Sequence, residues 1–420
     1  MATKKKAAKT KRRTKGAAKR KRPRASSAKP LRRKPARPPK PAKPHRRKPG
    51  LPPRPQPAPG PVGQPKPVAG PIEHVVIIVK ENHCFDNYFG TFPGANGAQL
   101  PRSPNPPPHD PNHEHGAWLT RKTTAVRAQF VEQDIPAYFA YARQYTLCDN
   151  YFTDVTGPST PNHLMLIAGD SPVIVNPHNY RLGPGIQPFN IPSLPKNLEA
   201  NGLTWGNYGG YAFDFIGALR GRNKYPSQQF VTDANGGRIP TVSWVYAPQN
   251  ESEHPLDNVT LGMQWTVAQV NAVVQGGLWP KTAIFITWDD WGGWLDHVDP
   301  ENVEQWTDGT QFRYGSRVGC LVLSPFARNG YISKVRHSHV SLLKFCVQQF
   351  GVAAPHKRVA AADDMSDCFD FRRLPAAPPK ADPTLKERCR LGRFDGDSLA
   401  EGQQPSSGCL SKETGMTRPL

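Results

Sequence analysis

No acidic residue precedes Glu73 in this 420-residue chain, and residues 1–70 contain no Phe, Tyr or Trp. A segment with so little to bury cannot offset the entropy of ordering, so residues 1–70 are predicted to be a disordered arm. Without aromatics, base stacking is not indicated there. No run approaches the roughly 20 apolar residues of a membrane-spanning helix. The first basic residues are not followed by an apolar stretch of the kind a secretory signal needs, so the expected location is cytoplasmic. Cysteine never occurs as Cys-x-x-Cys: the seven thiols (84, 148, 320, 346, 368, 389 and 409) are scattered and odd in number. That pattern suits reduced thiols, not a disulfide framework or a zinc ribbon.

What the chain has in excess is positive charge, unevenly placed. The formal net charge is +22, and residues 1–70 hold 25 of the 55 Lys and Arg. The remaining 30 bases face 33 acids, so the rest of the chain is mildly acidic, near −3. The arm's dense charge of one sign suits a polyanion, either nucleic acid or an anionic membrane surface. The plainer reading is a solubilising extension. Its Pro-rich half, about residues 30–71, is predicted to be extended and semi-stiff. Residues 71–372 form the candidate catalytic domain, and 373–420 read as a loosely ordered, Pro-rich tail.

The domain is organised around residues 72–90. Val75–Val79 is an uninterrupted apolar run, the pattern of a strand buried on both faces in a parallel sheet. It ends at Glu81-Asn82, where an open α/β sheet places its active site. A Pro-, Gly- and His-rich loop follows over 91–116, carrying His109, Asp110, His113 and His115. Asp134 and Pro136 mark a helix start. In the block 156–169, Ser159 or Thr160 caps a helix whose first residue would be Pro161, with Leu164–Ala168 as its buried body. A hydroxyl there meets free N–H groups and the positive end of the helix dipole, a setting suited to an anion. Leu203–Tyr208 and Thr241–Tyr246 read as strands, and Met263–Val274 as a helix.

The second strong signal is Ala283–Ile286, again a short apolar strand, which ends in Asp289 and Asp290. Adjacent carboxylates near a core repel and need a cation or hydrogen bonds. Gly292-Gly293 allows a tight turn behind them. Val318–Leu323 is a further strand. His337–Phe350 is an amphipathic helix stopped by Gly351, with His337 and His339 at its start. Glu81, Asn82, Asp289, Asp290 and Ser159 are all oxygen donors, a set that favours a hard divalent cation (Mg²⁺, Ca²⁺ or Mn²⁺), with Zn²⁺ also able to accept carboxylates. A metal beside a capped hydroxyl lowers that hydroxyl's pKa and screens an incoming phosphate.

The block Glu81-Asn-His-Cys-Phe-Asp-Asn-Tyr-Phe-Gly90 resembles the Glu-Asn-Arg-Ser-Phe-Asp-x-Tyr-Phe-Gly signature of the bacterial phosphoesterase family of phospholipases C and acid phosphatases. Asp110-Pro-Asn-His113, Leu147–Phe152, Gly157–Asn162, Ser252–Pro255, Trp288–Asp290 with Asp296-His297-Val, Arg317-Val with Ser324-Pro325, Ser338–Leu343 and Phe369–Phe371 resemble further blocks in the same order. The resemblance spans about residues 71–372. It implies an α/β fold, the three-layer α/β/α sandwich of the alkaline phosphatase superfamily. It also implies metal-dependent hydrolysis of phosphate esters through a phosphoserine.

Carried over by position, the resemblance puts the nucleophile at Ser159. The metal ligands fall at Glu81, Asn82, Ser159, Asp289 and Asp290, and the phosphate-binding histidines at His113 and His254. His297 and His339 are further catalytic candidates, His178 is a weaker match, and Asn162 is given a structural role. Three departures stand out. His83-Cys84 replaces Arg-Ser and is expected to alter the pocket rim. Asp290 stands where many members have Glu. A basic arm stands where exported relatives carry a signal. The competing reading is a nucleic-acid-associated protein that works through its arm, with an inactive phosphoesterase-like body.

Overall fold

β1 (His74–Lys80) is the middle of the molecule: every residue from Val75 to Lys80 is buried. This computed structural model describes residues 70–177, 182, 187–305 and 311–379. The arm short of Gly70, His178 and the tail beyond residue 379 lie outside the described residues. After β1 come α1 (Phe85–Phe89), α2 (His115–Leu119), α3 (Arg121–Thr124), α4 (Pro136–Gln144), β2 (Thr146–Phe152), α5 (Ser159–Ala168) and α6 (Leu194–Ala200). Then follow β3 (Trp205–Tyr208), β4 (Lys224–Tyr225), α7 (Gln229–Asn235), β5 (Val242–Tyr246), α8 (Val259–Gln275) and β6 (Thr282–Trp288). The last are β7 (Asn302–Gln305), β8 (Gln311–Arg313), β9 (Arg317–Leu323), β10 (Tyr331–Ser333), β11 (His337–Ser338), α9 (His339–Phe350) and α10 (Lys357–Ala361).

One sheet runs β10-β2-β9-β6-β1-β5-β3-β4, with β11 also on β2. β1 lies parallel to β5 and β6, with Val79 opposite Tyr246 and Thr287. β9 is antiparallel to both neighbours, β2 and β6. The sheet is therefore mixed, a feature that the apolar run Val318–Leu323 does not encode. Helices form two groups: α7 and α4 pack on α8, while α5 packs on α6 and α9, and α10 on α9. With the sheet between them, this is the three-layer α/β/α arrangement expected.

Local chemistry sets the boundaries. Asn258 caps α8 by accepting the N–H groups of Thr260 and Leu261, so that helix starts before the expected Met263. Ser338 and Ser341 form a capping box, so α9 begins at His339 and His337 belongs to β11. Asp134 does not cap α4. Ile135 does, and Asp134 instead accepts the Val131 N–H at 3.0 Å and pairs with Arg102. β2 was not anticipated as a strand, because its Cys-Asp-Asn centre breaks the apolar run, yet six of its seven residues are buried.

Candidate active site

The polar cluster forms where β1 and β6 end side by side. The Asp289 N–H donates to the Lys80 carbonyl at 2.9 Å, extending the ladder by one bond. Beyond it the two strand ends interlock. Asn82 adopts the left-handed conformation, φ 64°, and its N–H donates to Asp289 Oδ1 at 2.9 Å. Asparagine tolerates that region better than most residues. Gly292, at φ 58°, passes so close that an added Cβ would lie 1.9 Å from the Asn82 carbonyl oxygen. The Gly292 N–H donates to Asp290 Oδ1 at 2.7 Å, which orients that carboxylate.

α5 brings the hydroxyl. It starts at Ser159 itself, after Pro158, two residues earlier than expected from Pro161. Ser159 Oγ donates to Asp290 Oδ2 at 3.0 Å and lies 3.5 Å from Asn82 Oδ1. The neighbouring Thr160 hydroxyl is engaged elsewhere, 2.8 Å from the Tyr211 hydroxyl. Asn162 has the structural role expected: its Oδ1 accepts the N–H groups of Asp154 and Val155, and its Nδ2 donates to the carbonyls of Val155, Gly157 and Pro158. It ties the loop ahead of Ser159 onto the helix.

One turn along α5, His163 Nε2 meets Asp289 Oδ2 at 2.9 Å, with both side chains fully buried. The sequence reading passed over this residue. The signal for it was present, since residues four apart on a helix share a face and Ser159 is four residues earlier.

Two histidines face the cluster. His113 Nε2 lies 3.1 Å from Asn82 Nδ2, and its ring centroid is 5.9 Å from that of His254. The Pro111 carbonyl accepts from His113 Nδ1 at 2.8 Å, which fixes the ring. Asp110 joins them: one ligand atom from each of Asp110, His113 and His254 lies within 4.8 Å of the others. His254 is aimed by a buried network. Glu253, at φ 73°, pairs with Lys80 at 3.3 Å and accepts from Tyr88, Tyr138 and Trp288. Such a fully buried pair is tolerable because every lone pair is satisfied, and breaking it costs about 3–5 kcal/mol. The Glu81 N–H donates to the Ser252 carbonyl at 3.0 Å, joining this loop to the end of β1.

Electrostatics follow from crowding of acids. Burial, then the charge of Asp289, pushes the Asp290 carboxyl well above its ordinary range. Burial and the same Asp289 charge raise Glu81. Burial would raise Asp289 too, but the His163 hydrogen bond and the Asn82 N–H hold it below the usual carboxylate value. Burial opposes a charged His254, and the neighbouring Glu81, the Pro255 carbonyl and Asp110 overcome it and raise its pKa. Among the described residues no lysine or arginine forms an ion pair with Glu81, Asp289 or Asp290. Asp289 and Asp290, with the Glu81 charge acting on Asp290, have among the described residues only His163 as an ion-pair partner, and beside an amide oxygen and a hydroxyl this oxygen set fits a hard divalent cation. The Tyr246 hydroxyl supports the same reading: it is buried without a hydrogen-bond partner, and the charges of Asp289 and Glu81 act on it.

Other expected residues fall elsewhere. His297 does not join this cluster. Its Nδ1 pairs with Asp86 at 2.7 Å, and its Nε2 lies 3.2 Å from Asn96 Oδ1, beside Arg317. The Asp-His-Val block sits in the ion network of Asp86, Asp296 and Arg317, which holds α1 against β9. His339 stands behind the site: Nε2 donates to the Asp289 carbonyl at 2.8 Å and Nδ1 accepts from Tyr151 at 3.0 Å. With both nitrogens committed it positions the end of β6. His83 and Cys84 are fully buried rather than at a rim. His83 lies 2.6 Å from both Asn87 Oδ1 and the Glu253 carbonyl, so this departure from the family pattern supports the Glu253 loop.

A family model described as the phosphoesterase family matches residues 72–115 and 105–353. The chain belongs to the phosphoesterase family. It is 27% identical over 397 residues to a non-hemolytic phospholipase C of Pseudomonas aeruginosa, covering 71% of this chain and 57% of that protein. Phospholipase C B of Mycobacterium tuberculosis is 26% identical over 449 residues, covering 79% of this chain and 84% of its own. A non-specific phospholipase C1 of Arabidopsis thaliana is 22% identical, covering 64% of this chain and 63% of its own. This chain therefore spans little more than half the length of the Pseudomonas relative. Among solved structures, an alkaline phosphatase superfamily protein from Vibrio parahaemolyticus aligns at TM-score 0.41 and 11% identity, covering 70% of each chain. The all-oxygen cluster lies within the residues that the family model matches.

Proposed function

We propose that this chain hydrolyses phosphate esters by nucleophilic attack of Ser159, with a divalent cation held by Glu81, Asn82, Ser159, Asp289 and Asp290. The observation that carries it is the place of Ser159 Oγ, at the start of α5 and 3.0 Å from Asp290. Asp290, whose Oδ2 accepts the Ser159 hydroxyl hydrogen bond at 3.0 Å, is placed to take that proton as the oxygen closes on phosphorus. The facing His113 and His254, at the positive end of the α5 dipole, meet the phosphoryl oxygens. His254, whose pKa is raised, is placed to supply a proton to the leaving oxygen. A bound cation would lower the pKa of the Ser159 hydroxyl and neutralise the three acids. Water then releases the phosphoryl group from Ser159, with His254 acting in reverse.

The names of the relatives, phospholipase C, suggest a phospholipid diester as the substrate. Leu256, two residues after His254 in the chain, is an exposed apolar side chain, 57% exposed. A small phosphomonoester is the other candidate, and a screen of both substrate kinds across pH separates them. The reading of an inactive body is not favoured, since all five candidate ligands are present and four converge directly. The arm and its binding of nucleic acid or an anionic surface remain a separate proposal, and so does the location of the protein. Ser159→Ala is expected to abolish turnover with an unchanged melting temperature, and acid-quenched wild type is expected to carry a phosphoryl group on the Ser159 peptide. Near wild-type turnover in Ser159→Ala, or turnover indifferent to a chelator, would overturn the reading.

A further inference from the structure

A second cluster lies on β2, β11 and the turn at residues 366–368. Cys148 Sγ and Cys368 Sγ are 3.7 Å apart. His337 Nε2 is 3.9 Å from Cys368 Sγ. Asp367 Oδ1 is 3.6 Å from Cys368 Sγ and 3.3 Å from His337 Nε2. Both thiols and the imidazole are buried, and neither thiol is in a disulfide.

We propose that Cys148, His337 and Cys368, with Asp367 as the fourth donor, form a closed zinc site that staples the segment after α10 to the sheet. A tetrahedral zinc with Zn–S near 2.3 Å and Zn–N or Zn–O near 2.1 Å separates its donors by about 3.8 Å (S to S), about 3.6 Å (S to N or O) and about 3.4 Å (N to O). Four of the cluster's six edges, given above, agree with that polyhedron to within about 0.4 Å, and the Cys148 and His337 ligand atoms lie within 4.8 Å of each other. Sulfur and imidazole donors together select zinc over magnesium or calcium.

The surroundings are arranged as a metal site's second layer would be. Asp363 Oδ1 lies 2.6 Å from His337 Nδ1, the nitrogen away from the thiols. A carboxylate there favours a proton on Nδ1, the tautomer that leaves Nε2 to the metal, although the approach is off the N–H line and makes no aligned hydrogen bond. Ser333 Oγ donates to Asp367 Oδ2 at 2.5 Å, which leaves Oδ1 turned to the cluster. The Tyr331 hydroxyl donates to the same Oδ2 at 3.2 Å. Without metal, Nε2 keeps a 2.9 Å contact with Ser333 Oγ. Metal entry exchanges protons and transfers no electrons: both thiol protons and the Nε2 proton that faces Ser333 Oγ leave to solvent as two sulfur–zinc bonds and one nitrogen–zinc bond form.

The staple bears on the fold at one place. His337 is the first residue of β11, directly before α9, whose first residue His339 holds the Asp289 carbonyl. It does not depend on the Ser159 reading, and the experiment keeps the two apart. The full-length chain carrying Asp289→Asn and Asp290→Asn, which dismantles the carboxylate site, is purified and dialysed against a weak chelator, and its zinc is measured. About one equivalent is expected to remain. Adding Cys148→Ser or Cys368→Ser should remove nearly all of it. Cobalt(II) in place of zinc should give a near-ultraviolet sulfur-to-cobalt charge-transfer band in the Asp289→Asn, Asp290→Asn protein, a readout that needs no cysteine variant to fold. A zinc content unchanged by the cysteine substitutions, the absence of that band, or a Cys148–Cys368 disulfide in peptide maps of the native protein would each overturn the proposal.

Discussion

At the scale of single residues, position in the hydrogen-bond network separates groups that touch substrate from groups that hold others in place. His113 and His254 face the carboxylate cluster, so replacing either by Ala should lower kcat by about 10²–10³ and change KM little, as for groups used in the transition state. Steady-state kinetics on a soluble phosphoester checks this, and an effect on KM alone would make them plain binding residues. His163 acts through Asp289. His163→Gln should weaken metal affinity or activity by about 10–100-fold, the usual effect of losing an outer partner of a ligand. Metal titration by calorimetry measures it, and unchanged affinity with unchanged rate would remove His163 from the site. Asp289 and Asp290 were legible in the sequence because two acids closing a buried strand are costly. His163 was harder to see, because only the helix connects it to Ser159.

Elements set the geometry by how their ends meet. The crossing of Gly292 over Asn82 leaves no room for a methyl group, and its positive φ disfavours any other residue. Gly292→Ala should therefore destabilise the fold by about 1–3 kcal/mol and reduce metal binding more than that loss alone explains. Denaturant unfolding with and without metal tests both parts. α9 contributes through His339. Burial pushes this imidazole down to about 4, and its two hydrogen bonds suit the neutral ring. An unfolded His titrates near 6.5, so between about 6.5 and 4 the unfolded chain binds the extra proton. Stability due to this group is full above pH 6.5 and falls as pH drops toward 4, by up to ~3 kcal/mol. His339→Gln should flatten that limb in melting temperature against pH, and an unaltered acid limb would assign the loss to other groups.

For the whole molecule, charge divides the chain more sharply than any boundary in the sheet. The body from residue 71 carries a charge near −3, and the arm, with 25 Lys and Arg and no acid, carries +25. Deleting residues 1–70 should leave the melting temperature and turnover of a small phosphoester unchanged. Binding of the full chain to duplex DNA should fall by about 10³ or more between about 50 and 200 mM salt, through release of condensed counterions. Equal binding by both forms, or binding indifferent to salt, would mean that the arm is a passive extension. A parallel arm with anionic vesicles distinguishes a membrane surface from nucleic acid.

The chain's local pattern by itself determined the α/β class, the positions of β1, β5 and β6, the acids after β1 and β6, and a helix start close to Ser159, which the structure sets two residues ahead of Pro161. These are near-neighbour signals: an apolar run, a carboxylate where it stops, a hydroxyl just before a proline. The tertiary structure alone decided what depends on distant partners. The antiparallel direction of β9, the Lys80–Glu253 pair across 173 positions and the burial of His83 belong to that class. So does the assignment of His297 to Asp86 and Arg317 instead of the carboxylate cluster. A histidine's role is set by which groups reach its two nitrogens, and for His297 those groups, Asp86 and Asn96, lie more than two hundred positions away in the chain.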